Sequence, residues 1–129
     1  MKRAKLLVVE DEKEVLAYFR GSLEKKFDAD IEAVDNGEEA VKIMIENDFD
    51  LVIMDIKMPS MSGIDVMKKV SEARKLQDVI VVTAYDSKDI AFEAEEAGAL
   101  DYVAKPLNME ALLSKVKRIL GDKGLSVEK

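Results

Sequence analysis

The amino-acid sequence predicts a doubly wound α/β domain in which five parallel strands alternate with five helices. Three observations carry this expectation: short runs that are apolar at every position, longer segments between them with apolar residues at helical spacing, and polar or glycine punctuation at the joints. Residues 6–9 (LLVV), 51–54 (LVIM) and 79–82 (VIVV) contain no polar side chain. That is the pattern of parallel strands covered by helices on both faces. Residues 30–34 set Ile31, Ala33 and Val34 among acidic neighbours and suit a sheet edge, and residues 100–103 form a weaker fifth strand.

The helices follow from spacing. Val15, Phe19 and Leu23 mark the first, Ala40, Val41, Met44 and Ile45 the second, Val66, Met67 and Val70 the third, and Leu112, Val116 and Leu120 the last, each set forming one stripe at the helical period. Asp35, Asn36 and Gly37 open the second helix and Ser62 and Gly63 the third, while Asn108 caps the fifth and Gly98 stops the fourth. Strand-then-helix units of about 20 to 30 residues imply right-handed crossovers and the flavodoxin-like strand order 2-1-3-4-5. The 129 residues amount to one compact domain. Residues 1–120 are expected to form it, and 121–129 (GDKGLSVEK), which lack periodicity, a C-terminal tail or the start of a linker.

Composition removes several classes of function. Without cysteine there is no disulfide framework or thiolate zinc site, and residues 1–5 run into the first strand without a secretory signal. A cytoplasmic protein with no membrane partner is expected. The 20 basic and 27 acidic residues leave a net charge of −7, which repels phosphate backbones and argues against direct nucleic-acid binding. The absence of histidine excludes imidazole catalysis, imidazole metal ligands and a phosphohistidine donor. Carboxylates, hydroxyls and amines remain to carry the chemistry.

Such residues stand where the apolar runs end: Glu10 and Asp11, then Asp55, Thr83 and Lys105. Strand ends of an open parallel sheet lie side by side, and the ligand crevice falls where successive connections leave to opposite faces, here between the first and third strands. Glu10, Asp11 and Asp55 crowded there repel one another, so one of them should have a raised pKa unless a cation is present. All-oxygen ligation suits Mg2+, or Mn2+ in its place. A metal, a spare carboxylate, a hydroxyl and an ammonium together suit phosphoryl transfer. Asp55 would attack phosphorus in line, Asp11 would ligate the metal, and Glu10 would reach it directly or through water. Thr83 would hydrogen-bond one phosphoryl oxygen and Lys105 would neutralise another. Each residue alone has a plainer reading: Asp11 as a helix cap, Glu10 and Thr83 as loop residues, and Lys105 as a solvated lysine before Pro106, whose bond could be cis. Asp55 resists such a reading, because it ends a fully apolar run and precedes Lys57, Met58, Pro59 and Gly63.

These residues resemble the receiver domains of bacterial and archaeal response regulators, over nearly the whole chain from residue 5 to about 120. LLVVEDE (6–12) is similar to the family's first strand and acidic pair, LVIMDIKMPSMSG (51–63) to its phosphoacceptor segment, VIVVTAY (79–85) to its hydroxyl-bearing strand and GALDYVAKP (98–106) to its lysine strand. The resemblance implies a CheY-like fold and a signalling switch, not an enzyme acting on a separate substrate. Asp55 would be phosphorylated by a histidine kinase or histidine phosphotransfer protein, and the Lys57 backbone carbonyl would be a further metal ligand. Thr83 and Tyr102 would form a switch that alters the surface of the fourth helix, fifth strand and fifth helix. That surface would pass the signal to a downstream effector protein or an attached output domain, and it offers a route to a homodimer. The Ala-rich fourth helix, with Ala91, Ala94, Ala97 and Ala99 in or beside it, could shift at low cost.

Departures from the family pattern are minor. The acidic pair is Glu10 and Asp11 instead of two aspartates, and Leu107 stands where an aromatic is frequent. Lys57 and Tyr85 occupy positions that tune hydrolysis in the family, and two bulky groups there imply a long-lived phosphoform. Three rivals share parts of the pattern. A Mg2+-dependent aspartyl phosphatase would carry a second aspartate where Lys57 stands. A flavodoxin-like cofactor carrier would need a Ser-, Thr- and Gly-rich loop where Glu10, Asp11 and Glu12 would repel phosphate. A phosphorylation-independent scaffold would not need all five signature residues.

Overall fold

The computed structural model describes residues 3–73, 77–84, 88–105 and 107–125; Tyr85 and Pro106 lie outside them. Strands and helices alternate throughout: β1 (Lys5–Val9), α1 (Lys13–Lys26), β2 (Asp30–Val34), α2 (Gly37–Glu46), β3 (Leu51–Asp55), α3 (Gly63–Glu72), β4 (Val79–Thr83), α4 (Lys88–Glu96), β5 (Asp101–Ala104) and α5 (Met109–Asp122). The strands form one parallel sheet in the order β2-β1-β3-β4-β5, as the sequence predicts. The chain moves outward from β1 to β2, then crosses to β3 on the other side of β1. The connections after β1 and β3 therefore diverge, and their C-terminal ends flank the crevice.

The reason β1, β3 and β4 are apolar at every position is visible in their alternation. Leu6, Val8, Leu51, Ile53, Ile80 and Val82 pack with Phe19, Leu23, Phe27, Leu112, Val116 and Leu120 on the α1 and α5 side. Leu7, Val9, Val52, Met54, Val79 and Val81 pack with Ala40, Met44, Val66, Met67, Val70 and Ala94 on the α2, α3 and α4 side. Successive side chains point to opposite faces, so a strand covered on both must be apolar throughout. α4 is the exception among the helices, since Ala94 is its one buried residue.

The expected caps are present. Asn36 Oδ1 accepts from the Glu39 amide at 2.8 Å and Asn108 Oδ1 from the Ala111 amide at 3.1 Å. Ser62 and Asp65 form a reciprocal capping box at the start of α3. Gly98 adopts a left-handed φ of 100° just past α4. No helix among the described residues is long and apolar enough to cross a membrane.

Several element ends differ by one or two residues from the sequence expectation, and two of them have a clear cause. β5 begins one residue later, because Asp101 is the first residue paired across to β4, opposite Ile80; Leu100 instead sits on the preceding turn, 51% exposed. Apolarity is a weak guide at an edge strand, whose faces are only partly covered. At the other end, α5 runs to Asp122, beyond residue 120. The Lys123 ammonium pairs with Asp78 at 2.8 Å. Gly124 then turns with φ 81°, letting the Leu125 amide reach the Leu120 carbonyl at 2.9 Å while its side chain packs on the core. Residues 121–125 lack periodicity because they close a helix, which takes glycine and a cation.

Two glycines give opposite expectations for stability. Gly21 lies within α1 with nothing within 4 Å of an added Cβ, so Gly21→Ala should raise the stability by about 0.5–1 kcal/mol. A Cβ on Gly63 would lie 2.5 Å from the Asp55 carbonyl oxygen, so Gly63→Ala should lower it by about 1–3 kcal/mol. Urea midpoints at unchanged slope measure both.

Candidate functional site

The site lies over the crevice between β1 and β3. Asp55 is the last residue of β3 and Glu10 directly follows β1; they are 6% and 1% exposed. Their burial follows from the strands, which deliver them at the rim of a sheet packed on both sides. Asp11 comes next in the chain and is partly exposed. Carboxylate oxygens of Glu10, Asp11 and Asp55 lie within 4.8 Å of one another, so the three expected to meet do meet. Lys105 follows β5, and its ammonium donates to Asp55 Oδ2 at 3.1 Å and lies 3.6 Å from Glu10 Oε2. Thr83 ends β4, fully buried, one residue beyond Val82, the β4 partner of Asp55. Its carbonyl accepts from the Lys105 amide at 2.8 Å, which ties the lysine to the hydroxyl-bearing strand.

The electrostatics follow from that crowding. Burial pushes the Glu10 carboxyl up to about 8, reinforced by a hydrogen bond to Asp55 and the negative charges of Asp55 and Asp11, and opposed by Lys105. With no cation to offset these charges, the raised value favours the protonated Glu10 carboxyl at neutral pH. Burial by itself would lower the Lys105 pKa, but the charge and hydrogen bond of Asp55, then Glu10 and Glu12, leave it raised, so the ammonium stays charged. Glu10 Oε1 is buried without a hydrogen-bond partner. An orphaned carboxylate oxygen beside two more carboxylates fits a hard divalent cation, which would supply the missing ligand contact.

Asp11 is not a cap. The α1 N-cap is Glu12, which makes no side-chain capping bond, and Asp11 stands one residue further out. Lys57 is exposed, and its backbone amide donates to Asp55 Oδ1 at 3.1 Å. That contact, made by a backbone group, leaves no trace in residue identity. Gly63 is a second feature that sequence reading assigns only to helix initiation: its amide donates to the Ile56 carbonyl at 2.8 Å, and its missing side chain admits the Asp55 backbone. Tyr102, the second residue of β5, is partly buried against the α2, α3 and α4 side of the core. Concavity would have pointed elsewhere: a groove of about 390 Å³ between α3 and α4, lined by Lys68, Glu72, Phe92 and Glu96 among others, does not touch the carboxylates.

Comparison with known proteins agrees with this geometry. Residues 6–117 match the response regulator receiver domain family. The chain is 34% identical over 117 residues to the transcriptional regulatory protein CusR of Escherichia coli, a match covering 90% of this chain and 51% of CusR. The chain thus spans about half the length of the curated relatives it matches. Among solved structures, a CheY-like response regulator receiver domain protein from Methanospirillum hungatei superposes with TM-score 0.86 at 28% identity, over 95% of this chain and 98% of that one. The response regulator TrrA of Thermotoga maritima, in complex with Mg2+ and BeF, superposes with TM-score 0.78 at 35% identity, over 91% of this chain and 99% of TrrA. With its strand order, its acidic crevice and these matches, the chain belongs to the response regulator receiver domain family, the CheY-like signalling switches of two-component systems.

Proposed function

We propose that Asp55 is the phosphoacceptor, taking its phosphoryl group from the phosphohistidine of a histidine kinase or histidine phosphotransfer protein. The observation that carries this reading is the convergence on one buried carboxylate of the Lys105 ammonium and the Lys57 amide, with Glu10 and Asp11 beside it. The transfer breaks the P–N bond of the donor and forms a bond from phosphorus to an Asp55 oxygen; the imidazole leaves with the bonding electrons and takes up a proton. Lys105 holds positive charge where the phosphoryl oxygens gather, and the Lys57 amide sets the carboxylate's orientation. The Thr83 hydroxyl would bind a phosphoryl oxygen from the neighbouring strand. Glu10, Asp11, Asp55 and the Lys57 carbonyl would hold Mg2+ or Mn2+, which when bound supplies neutralisation of the phosphoryl charge.

Thr83 and Tyr102 are the switch in this reading, and the response passes to the surface formed by α4, β5 and α5. Support comes from packing: α4 buries only Ala94 fully, with Ile90 partly buried beside the core, so fewer dispersion contacts hold it than hold the other helices. A downstream effector protein, an attached output domain or a second copy of the chain would read that surface.

Incubation with phosphoramidate and Mg2+ is expected to add one phosphoryl group by intact mass, absent in Asp55→Asn and in EDTA. Lys105→Ala should slow its formation by about a hundred-fold. An adduct that persists in Asp55→Asn would place the nucleophile elsewhere.

The carboxylate pair makes a separate expectation. With Glu10 raised from 4.5 to about 8, the folded protein between those values holds a proton that the unfolded chain has lost, so stability falls as pH rises through that window. The urea midpoint of the metal-free protein should therefore drop from about pH 5 to about pH 8, and Glu10→Gln should flatten the profile. Mg2+ added at neutral pH should release on the order of one proton per ion bound. A wild-type midpoint independent of pH would show that the Glu10 carboxyl is not raised in the folded protein.

A further inference from the structure

Two glycines make close contact with the β3–α3 connection, residues 56–62, or the strand end before it. At its C-terminal end Gly63 closes on the Asp55 carbonyl, as described above. Gly37, the first residue of α2, meets Met61: a Cβ at position 37 would lie 2.8 Å from the Met61 Cβ, 3.1 Å from its Cγ and 3.0 Å from its carbonyl oxygen. Neither glycine has a positive φ, so both act by the space they leave and not by backbone freedom. Between them Ser60 adopts φ 69°, left-handed for a residue with a side chain, and the Met61 amide donates to the Pro59 carbonyl at 2.7 Å. A residue held in that region marks a segment whose path is set by its surroundings. Met58 is buried and Met61 partly buried on the same face of the core. The connection thus has little freedom, and it carries the Lys57 amide that holds Asp55 Oδ1.

We propose that Met61, seated in the notch that Gly37 leaves at the start of α2, is a positioning residue for phosphorylation. Through the connection it sets the Lys57 amide and, by that hydrogen bond, the orientation of the Asp55 carboxylate. The proposal rests on the reading of Asp55 as the phosphoacceptor. It couples the start of α2, which contributes no side chain to the site, to the reactivity of a group on β3.

The test uses Gly37→Ala, Met61→Gly, the double variant, and Gly21→Ala as a control whose added Cβ meets nothing within 4 Å. Alanine at the first turn of α2 favours the helix, so a loss in Gly37→Ala does not arise from weakening it. Two quantities are read in each: the phosphorylation rate with phosphoramidate, and the NMR position of the Lys57 amide in metal-free protein. Gly37→Ala should move the Lys57 amide and slow phosphorylation by about ten-fold, while Gly21→Ala leaves both unchanged. Adding Met61→Gly should return the amide toward its wild-type position and restore the rate to within about three-fold of Met61→Gly alone. The proposal is overturned if Gly37→Ala leaves the amide in place, if the amide moves without a change in rate, or if the double variant shows no rescue. Should Gly37→Ala fail to fold, Met61→Gly alone decides, since faster exchange of the Lys57 amide supports the coupling and unchanged exchange refutes it. Failure of the wild type to accept phosphate would remove the phosphoacceptor reading, while the amide data would still report on the contact.

Discussion

Repulsion among three carboxylates at the end of a buried sheet is the constraint around which the rest of this structure is arranged. Glu10, Asp11 and Asp55 would separate if solvent or a flexible loop were available, and they stay together because β1 and β3 are adjacent and packed on both faces. The hydrophobic layers thus hold a charge arrangement that is unfavourable by itself. Relief is partial: Lys105 contributes one positive charge, and the raised pKa of Glu10 favours its neutral form. A buried carboxylate oxygen without a partner remains. A site in this state favours whatever brings positive charge or redistributes negative charge, which is a physical account of why it suits a cation and a phosphoryl group.

The same packing divides the molecule into firm and soft parts. α1 and α5 bury Phe19, Leu23, Leu112, Val116 and Leu120 against one face, and the end of α5 is fastened further by Lys123 and Leu125. α2 and α3 secure the other face through Met44, Val66, Met67 and Val70. α4 and the edge strand β5 are held with less: one fully buried alanine in the helix and no fully buried residue in the strand, with Ile90, Tyr102 and Val103 partly buried. Lys105, which touches Asp55, emerges from that lightly packed edge. Lys105 thus joins the buried carboxylates of Asp55 and Glu10 to the most lightly packed edge of the sheet.

Membership of the receiver family places this domain in signalling, and the half-length coverage of its relatives shows that its kin join such a domain to further chain. The β3–α3 connection ties the two levels together. Its glycine contacts reach α2 on one side and the Asp55 backbone on the other, so the geometry of the acidic crevice depends on helices that contribute no charged group to it.

Much of this was legible in the amino-acid sequence. Fully apolar runs at 6–9, 51–54 and 79–82 identify strands buried on both faces, because a residue of either parity meets a helix. Asn36, Ser62 and Asn108 mark helix starts because capping is a local hydrogen bond between near neighbours. The polar residues that end the runs identify the site, since parallel strands bring those ends together whatever lies between. Tertiary structure alone decided the rest. At the β5 edge, cross-strand pairing and not apolarity set the first residue. At the chain's end, Lys123 and Leu125 acquire partners tens of residues away, just before β4, or one turn back in α5. Which carboxyl keeps a proton depends on burial and distance, not on residue type. The Lys57 amide at Asp55 and the notch at Gly37 are made of backbone and empty space, which no side-chain identity records.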